Sequence, residues 1–185
     1  MDATLAAAVA ALRAGKVIAY PTEAVYGLGC DPLDAGAVAH LFALKQRPSG
    51  QGVLLIAADF AQVEKYIDRA RVPADALAHV LATWPGPHTW VFPRSPATPA
   101  WLVGAHSGIA LRVTAHAQAA QLCRAFDGAL VSTSANRHGT PPARSAADVR
   151  ATFGEDLGVI LDGPTGGLER PTPIRDAVSG EVLRG

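Results

Sequence analysis

Four groups of polar residues interrupt stretches that are otherwise apolar. Lys45 and Arg47 close the helix-like run in LFALKQRPSGQG (41–52), and Ser132, Thr133, Ser134 and Asn136 end the strand-like run in ALVSTSANRHGTPP (129–142). Thr22, Glu23 and Tyr26 lie in IAYPTEAVYGLGCD (18–31), and Arg112 stands between Leu111 and Val113. Lys45 carries the sharpest signal. With Val38, Leu41 and Phe42 it falls on one helical stripe, so it sits among apolar residues and not on the polar side with His40 and Ala43. Cations are also favoured at helix C-termini by the macrodipole, so an end-of-helix role competes with a ligand role. A desolvated cation needs an anion, and Arg47, preceding Pro48, is pushed into an extended conformation that turns it toward the body of the protein. Pro48 is expected to stop the helix.

The hydroxyls and amide at 132–136 can bond phosphate oxygens, a carboxylate or an amine, or else satisfy a local turn. Pro21 ends its strand, which leaves Thr22, Glu23 and Tyr26 on a turn, with Gly27 and Gly29 permitting close backbone approach. Arg112 either faces solvent or makes a bidentate anion contact, and alternation alone does not decide between them. Together these residues describe a cleft lined by a lysine, two or more arginines and several hydroxyls. Such a set can stabilise charge that builds up during transfer at phosphorus. No Walker motif, no complete dinucleotide fingerprint, no H-E-x-x-H and no G-x-S-x-G is present, and the six histidines show no metal-ligand spacing.

The elements that must position these residues follow from pattern. Helices are expected near 4–14 (Leu5, Val9 and Leu12 at helical spacing, closed by Gly15), 34–46, 59–69, 73–83, 116–126 and 145–153. Strands are expected at 16–20, 53–58, 89–93, 108–114, 129–134 and 158–162, with 174–178 and 181–184 forming a hairpin about Ser179-Gly180. The order is neither a βαβ repeat nor strands followed by helices. It implies an α/β (α+β-like) fold, a twisted mixed sheet with helices packed on it, in a single domain over 1–185. With 185 residues, 49% of them hydrophobic, the chain can bury a real core. Sixteen basic residues balance sixteen acidic ones, so no global field recruits nucleic acid and any anion site must be local. Cys30 and Cys123 form no C-x-x-C and suggest a reduced, cytoplasmic protein. The acidic N-terminus does not fit a signal sequence, and no apolar stretch is long enough to span a membrane.

YPTEAVYGLGCDP, LKQRP, WPGPHTWVF, ALRVT, LVSTSAN and IRDAVSGE occur in the order seen in the YrdC/TsaC family, the threonylcarbamoyl-AMP synthases, which the chain resembles from about residue 4 onward. The resemblance implies the YrdC-like fold with a concave cationic cleft, in the short form that lacks a further C-terminal domain. It also implies a reaction in which L-threonine, bicarbonate (or CO2) and ATP give threonylcarbamoyl-AMP and pyrophosphate, for N6-threonylcarbamoyladenosine at position 37 of tRNA. The family's K-x-R and S-x-N pattern falls on Lys45, Arg47, Ser134 and Asn136 as catalytic residues. Thr22, Tyr26, Arg112, Thr133 and Arg184 fall at substrate- or ATP-binding positions. Mg²⁺ is expected on the ATP phosphates, and downstream threonylcarbamoyl-transferase proteins and tRNA are the candidate partners. The chain departs from the family at Ala115-His116-Ala117, where His116 is expected to be structural, and at Thr172, which keeps a hydroxyl where serine is common. After K-x-R-P it has GQGVLLIA without the histidine of the long form. The rival readings are an RNA-binding or ribosome maturation factor using the same cationic cleft, and a carbamoyl-transfer domain of the hydrogenase-maturation type.

Overall fold

The computed structural model describes residues 2–47, 50–169 and 172–184. Its helices are α1 (Ala3–Arg13), α2 (Ala35–Lys45), α3 (Ala61–Glu64), α4 (Ala74–Ala82), α5 (Ala100–Val103), α6 (Ala117–Phe126) and α7 (Ala146–Phe153). Its strands are β1 (Ile18–Pro21), β2 (Tyr26–Gly29), β3 (Leu54–Ala57), β4 (Thr89–Pro93), β5 (Gly108–Val113), β6 (Leu130–Ser134), β7 (Ile174–Asp176) and β8 (Val182–Arg184). The strands form one sheet in the order β1-β2-β6-β3-β5-β4-β7-β8. Only β3 with β5 and β4 with β7 run parallel, so the sheet is mixed, as expected. Among the described residues no helix is long and apolar enough to cross a membrane.

Helix ends follow local chemistry. Asp2 and Asp34 cap α1 and α2 with their carboxylates, and Ser145 with Asp148 forms a reciprocal capping box on α7. His116 is structural, as expected: its Nδ1 accepts from the Ala119 amide at the start of α6, and its Nε2 lies 3.0 Å from the Pro164 carbonyl. Helix α2 ends before Pro48 is reached, a residue that lies outside the described ones. Gln46 adopts the left-handed conformation (φ 53°), and the Arg47 amide turns back to the Phe42 carbonyl at 3.0 Å.

Three expectations are corrected, and one element was not expected. Residues 26–29 form strand β2 and not a turn. Gly27 and Gly29 lower its propensity, yet a side chain at 29 would lie 2.6 Å from the Val131 carbonyl oxygen and 2.7 Å from the Tyr20 ring. The close approach expected there is therefore internal. The expected helix 59–69 is cut to α3 and a 3-10 turn at Arg69–Arg71, because Asp68 donates to the Pro93 carbonyl and Tyr66 accepts from Ser95. Residues 158–162 make a single parallel bridge, Ala19 to Ile160, along the outer edge of β1 before the chain turns at Gly163-Pro164. The single turn α5 carried no periodic signal.

Two cores sit on opposite faces of the sheet. The larger packs Leu55, Trp90, Phe92, Leu111 and Val131 against Val38 and Leu41 of α2 and Val149 and Phe153 of α7. The smaller packs Ile18, Tyr20, Ile56 and Leu130 against α1 and α6. Alternation then decides the site. Cross-strand partners share a face, and Ser132, Leu54, Ala110 and Val91 are register neighbours in line across β6, β3, β5 and β4. They stand on the α1/α6 face but beyond those helices, and they line an open cleft.

Candidate active site

The cleft has a volume of about 1230 Å³, enough for a nucleotide together with a small second molecule. Gly27, Gly108 and Ala110 keep its floor low, and the β7–β8 hairpin forms one wall. All nine expected site residues line the cleft, and two of them, Thr22 and Tyr26, have their hydroxyls bonded to the backbone.

At one end, α2 delivers Lys45 to the end of β6. Lys45 is only 4% exposed. It donates to the Ser134 carbonyl, to the Asn136 carbonyl at 2.8 Å and to Asn136 Oδ1 at 3.1 Å. The position on the apolar stripe is confirmed, but the inference that burial requires an anion is corrected: three neutral acceptors satisfy the ammonium. Its charge therefore remains uncompensated, and burial, with the Arg47 charge adding to it, lowers its pKa to about 8. Asn136 is itself held, accepting from Ser134 Oγ at 2.6 Å and donating to the Arg137 and Thr140 carbonyls. The Ser134 hydroxyl thus has its proton committed and its lone pairs directed elsewhere.

Arg47 stacks over the Phe42 ring, 5.7 Å from its centroid, and donates to Thr133 Oγ1 at 3.2 Å and to the Gly52 carbonyl at 2.7 Å. Its Nε is buried without a partner among the described residues. Burial lowers its pKa, and Arg184 on β8 lowers it further, which brings Arg184 into the same electrostatic cluster. Among the described residues none of Lys45, Arg47 and Arg184 has a carboxylate within 4 Å.

Arg112 lies in the floor and differs from these three. Its Nη1 lies 3.1 Å from Glu23 Oε2 in a buried ion pair. Its Nε and Nη2 donate to Thr89 Oγ1 at 3.0 and 2.6 Å, and Nη2 also donates to Thr172 Oγ1. Glu23 Oε1 accepts from Thr114 at 2.6 Å. Of the two readings left open for Arg112, the solvated one is excluded, and the anion it meets is Glu23. Desolvation lowers the Arg112 pKa and the Glu23 charge raises it.

Thr22 and Tyr26 are engaged in the frame. The Thr22 hydroxyl donates to the Val25 carbonyl at 2.7 Å, closing the turn. The Tyr26 hydroxyl donates to the Gly163 carbonyl at 2.7 Å and accepts from the Gly163 amide at 3.1 Å, and burial raises its pKa. Sequence reasoning missed Thr89 and the pairing of Glu23 with Arg112. The available signal was two opposite charges among apolar residues, Glu23 on a turn and Arg112 in a strand, without spacing to join them. Among the described residues no group of three or more His, Cys, Asp or Glu could hold a metal ion. Asp176, the carboxylate in the cleft wall, accepts from the Val178 and Ser179 amides of its own turn. The donor set suits an anion, and a metal would enter with that anion as part of the substrate.

An open mixed sheet with a cationic cleft on one face defines the class: an α/β protein built to hold a polyanion beside a smaller polar molecule. The chain belongs to the Sua5/YciO/YrdC family, whose profile, described as telomere recombination, matches residues 10–185. It is 54% identical over 99% of its length to a threonylcarbamoyl-AMP synthase of Stenotrophomonas maltophilia, and covers 98% of that protein. It is 53% identical over 96% of its length to the protein of the same name from Coxiella burnetii, covering 94% of it. Among solved structures, P. abyssi Sua5 complexed with L-threonine superposes with a TM-score of 0.86 at 32% identity over 93% of this chain. This chain spans about half the length of that one (50%). E. coli YciO shares the fold, with a TM-score of 0.81 at 24% identity.

Proposed function

We propose that the protein is an L-threonylcarbamoyladenylate synthase, using L-threonine, bicarbonate or CO2, and ATP. The observation that carries this reading is the division of one cleft into two electrostatic halves. Lys45, Arg47 and Arg184 hold three charges without carboxylate partners among the described residues, which suits a triphosphate. Arg112, paired with Glu23 and surrounded by Thr89 and Thr172, suits a small, nearly neutral polar molecule such as an amino acid. The names of the relatives and the threonine in the Sua5 complex support the same pair of substrates.

The chemistry follows from that arrangement. The threonine amine, once deprotonated, forms an N–C bond to CO2 while one C–O π bond opens onto oxygen, and the nitrogen gives up a proton to solvent, leaving a carbamate. A carbamate oxygen attacks the α-phosphorus of ATP, the bond from that phosphorus to the bridging oxygen breaks, and pyrophosphate leaves with the electron pair. Two anions must approach each other, and Lys45, Arg47 and Arg184 lower the cost of that approach. At the junction of the two halves the Thr133 hydroxyl, which accepts from Arg47, donates its proton to a substrate oxygen, and the Ser134 lone pairs accept from an N–H or O–H of the amino acid, with Asn136 fixing Ser134. Mg²⁺ arrives with the triphosphate as part of the substrate. Thr22 and Tyr26 act through the turn and the Gly163 loop that shape the cleft. The product is an activated acyl donor, so an acyl transfer to an amine must consume it; transferase proteins acting on tRNA fit that step, in the cytoplasm where ATP and threonine meet.

Pyrophosphate release from ATP, measured with each amino acid and with or without bicarbonate, tests the proposal. Release is expected only with threonine and bicarbonate together. Release that ignores threonine, or none under any condition, removes the assignment. Salt-sensitive binding of duplex RNA without ATP consumption would favour the RNA-binding reading.

A further inference from the structure

Two buried cations of the cleft are treated in opposite ways. Among the described residues Lys45 (4% exposed) meets neutral acceptors only, whereas Arg112 (9% exposed) meets a carboxylate. That carboxylate has no contact with the cleft. Thr22 and Ala24 line it, while Glu23 between them is 6% exposed and lies behind the floor. Glu23 is nonetheless built in firmly. Oε2 holds Arg112, Oε1 holds Thr114, and its backbone carbonyl accepts from the Leu168 amide at 3.0 Å, in the strap that leads toward Thr172. Of the five N–H groups of Arg112, four are donated to Glu23, Thr89 and Thr172, which leaves the second Nη1 proton.

We infer that Glu23 is a specificity-determining residue of this cleft: by cancelling the charge of Arg112 it keeps phosphate out of the floor, so that the triphosphate settles on Lys45, Arg47 and Arg184. This rests on the functional reading above and extends it. A guanidinium in a low-dielectric floor, beside hydroxyls of Thr89 and Thr172, would otherwise be a good phosphate site. With ATP or pyrophosphate in that position, the amino acid half would be blocked. The neutral pair retains a directional donor and hydroxyls, which orient a small polar molecule without attracting a polyanion. Glu23 acts through Arg112 and touches no substrate, so it is a positioning residue and not a catalytic one.

The test is titration of the protein with inorganic pyrophosphate by calorimetry, beside inhibition kinetics against threonine. Glu23→Gln keeps the shape and a hydrogen-bonding oxygen but removes the charge. It is expected to raise pyrophosphate affinity at least tenfold and to make pyrophosphate competitive with threonine, which a purely structural role of Glu23 would not do. A smaller increase, or a loss of affinity, overturns the inference. The double variant Glu23→Gln/Arg112→Gln should return pyrophosphate affinity to the wild-type value, and an affinity that stays raised also overturns it. Should Glu23→Gln fail to fold, Arg112→Gln decides. Its pyrophosphate affinity should stay within threefold of wild type, while Arg47→Gln loses more than tenfold, and equal losses refute the division of the cleft. Calorimetry with pyrophosphate needs no turnover. Absence of threonine-dependent pyrophosphate release in the wild type therefore strikes the functional reading alone.

Discussion

Replacing Lys45 by methionine separates the two roles that its position permits, a staple for the end of β6 and a charge for the cleft. Methionine keeps the length and apolar stem and removes the ammonium. Two backbone carbonyls, Ser134 and Asn136, then lose a donor, at a cost of about 1–3 kcal/mol each. Against this, the wild-type protein holds an ammonium whose pKa is lowered from 10.5 to about 8, a penalty on the order of 3 kcal/mol at neutral pH that the variant escapes. The net loss of stability is thus expected to be no more than roughly 3 kcal/mol, less than the 5–15 kcal/mol typical of a domain. Activity should behave differently. Removing one preorganised charge from a site where charge develops costs roughly 10²-fold or more in rate, so pyrophosphate release should fall by at least about that factor. Urea unfolding followed by circular dichroism gives the first quantity and pyrophosphate release the second. A variant destabilised by more than about 5 kcal/mol whose folded fraction still turns over normally would refute this reasoning, and would make Lys45 a structural staple only.

Stability should depend on pH through the same group. Between pH 8 and 10.5 the unfolded chain binds the Lys45 proton that the folded chain has released, so this contribution raises stability with pH across that window and is constant below it. Cys123, pushed up to about 12, acts in the opposite direction above pH 9 in both proteins, so the quantity to measure is the unfolding free energy of the wild type minus that of Lys45→Met from pH 7 to 10, which should increase as pH rises through 8, and a difference that falls would refute the assignment. Tyr26→Phe removes the hydroxyl that both donates to and accepts from Gly163; a stability loss of about 1–3 kcal/mol is expected, with the KM for ATP within threefold of wild type, and a tenfold rise in that KM would place Tyr26 against the nucleotide. Gly29→Ala drives a methyl to 2.6 Å from the Val131 carbonyl oxygen, and a loss of about 3 kcal/mol or more, or insoluble protein, should result; a neutral effect in thermal melts would contradict the tight pairing of β2.

Periodicity and end chemistry made much of the frame legible. Helices α1, α2, α4, α6 and α7 and strands β3 to β6 lie where hydrophobic pattern and capping residues indicate, and the hairpin about Gly180 (φ 76°) follows from its turn residues. Elements defined by distant partners were not legible. Strand β2 contains two glycines that read as a turn until Val131 and Tyr20 are seen to require them. The segment after α3 would continue as helix were Tyr66 and Asp68 not bonded to residues 93–95.

The sequence by itself determined that cations and hydroxyls occupy the ends of apolar elements, and that Lys45 faces inward, because helical spacing is a local property of the chain. Only the tertiary structure decided which charges are compensated. Glu23 and Arg112 lie 89 residues apart, on a turn and a strand that the sheet order brings together, and no pattern in the chain marks them as partners. Lys45 and Asn136, 91 residues apart, meet by the same means, although here the ammonium finds neutral carbonyls. Compensation by charge in one half of the cleft and by neutral dipoles in the other depends on distances of a few ångströms, and these exist only once the sheet has formed.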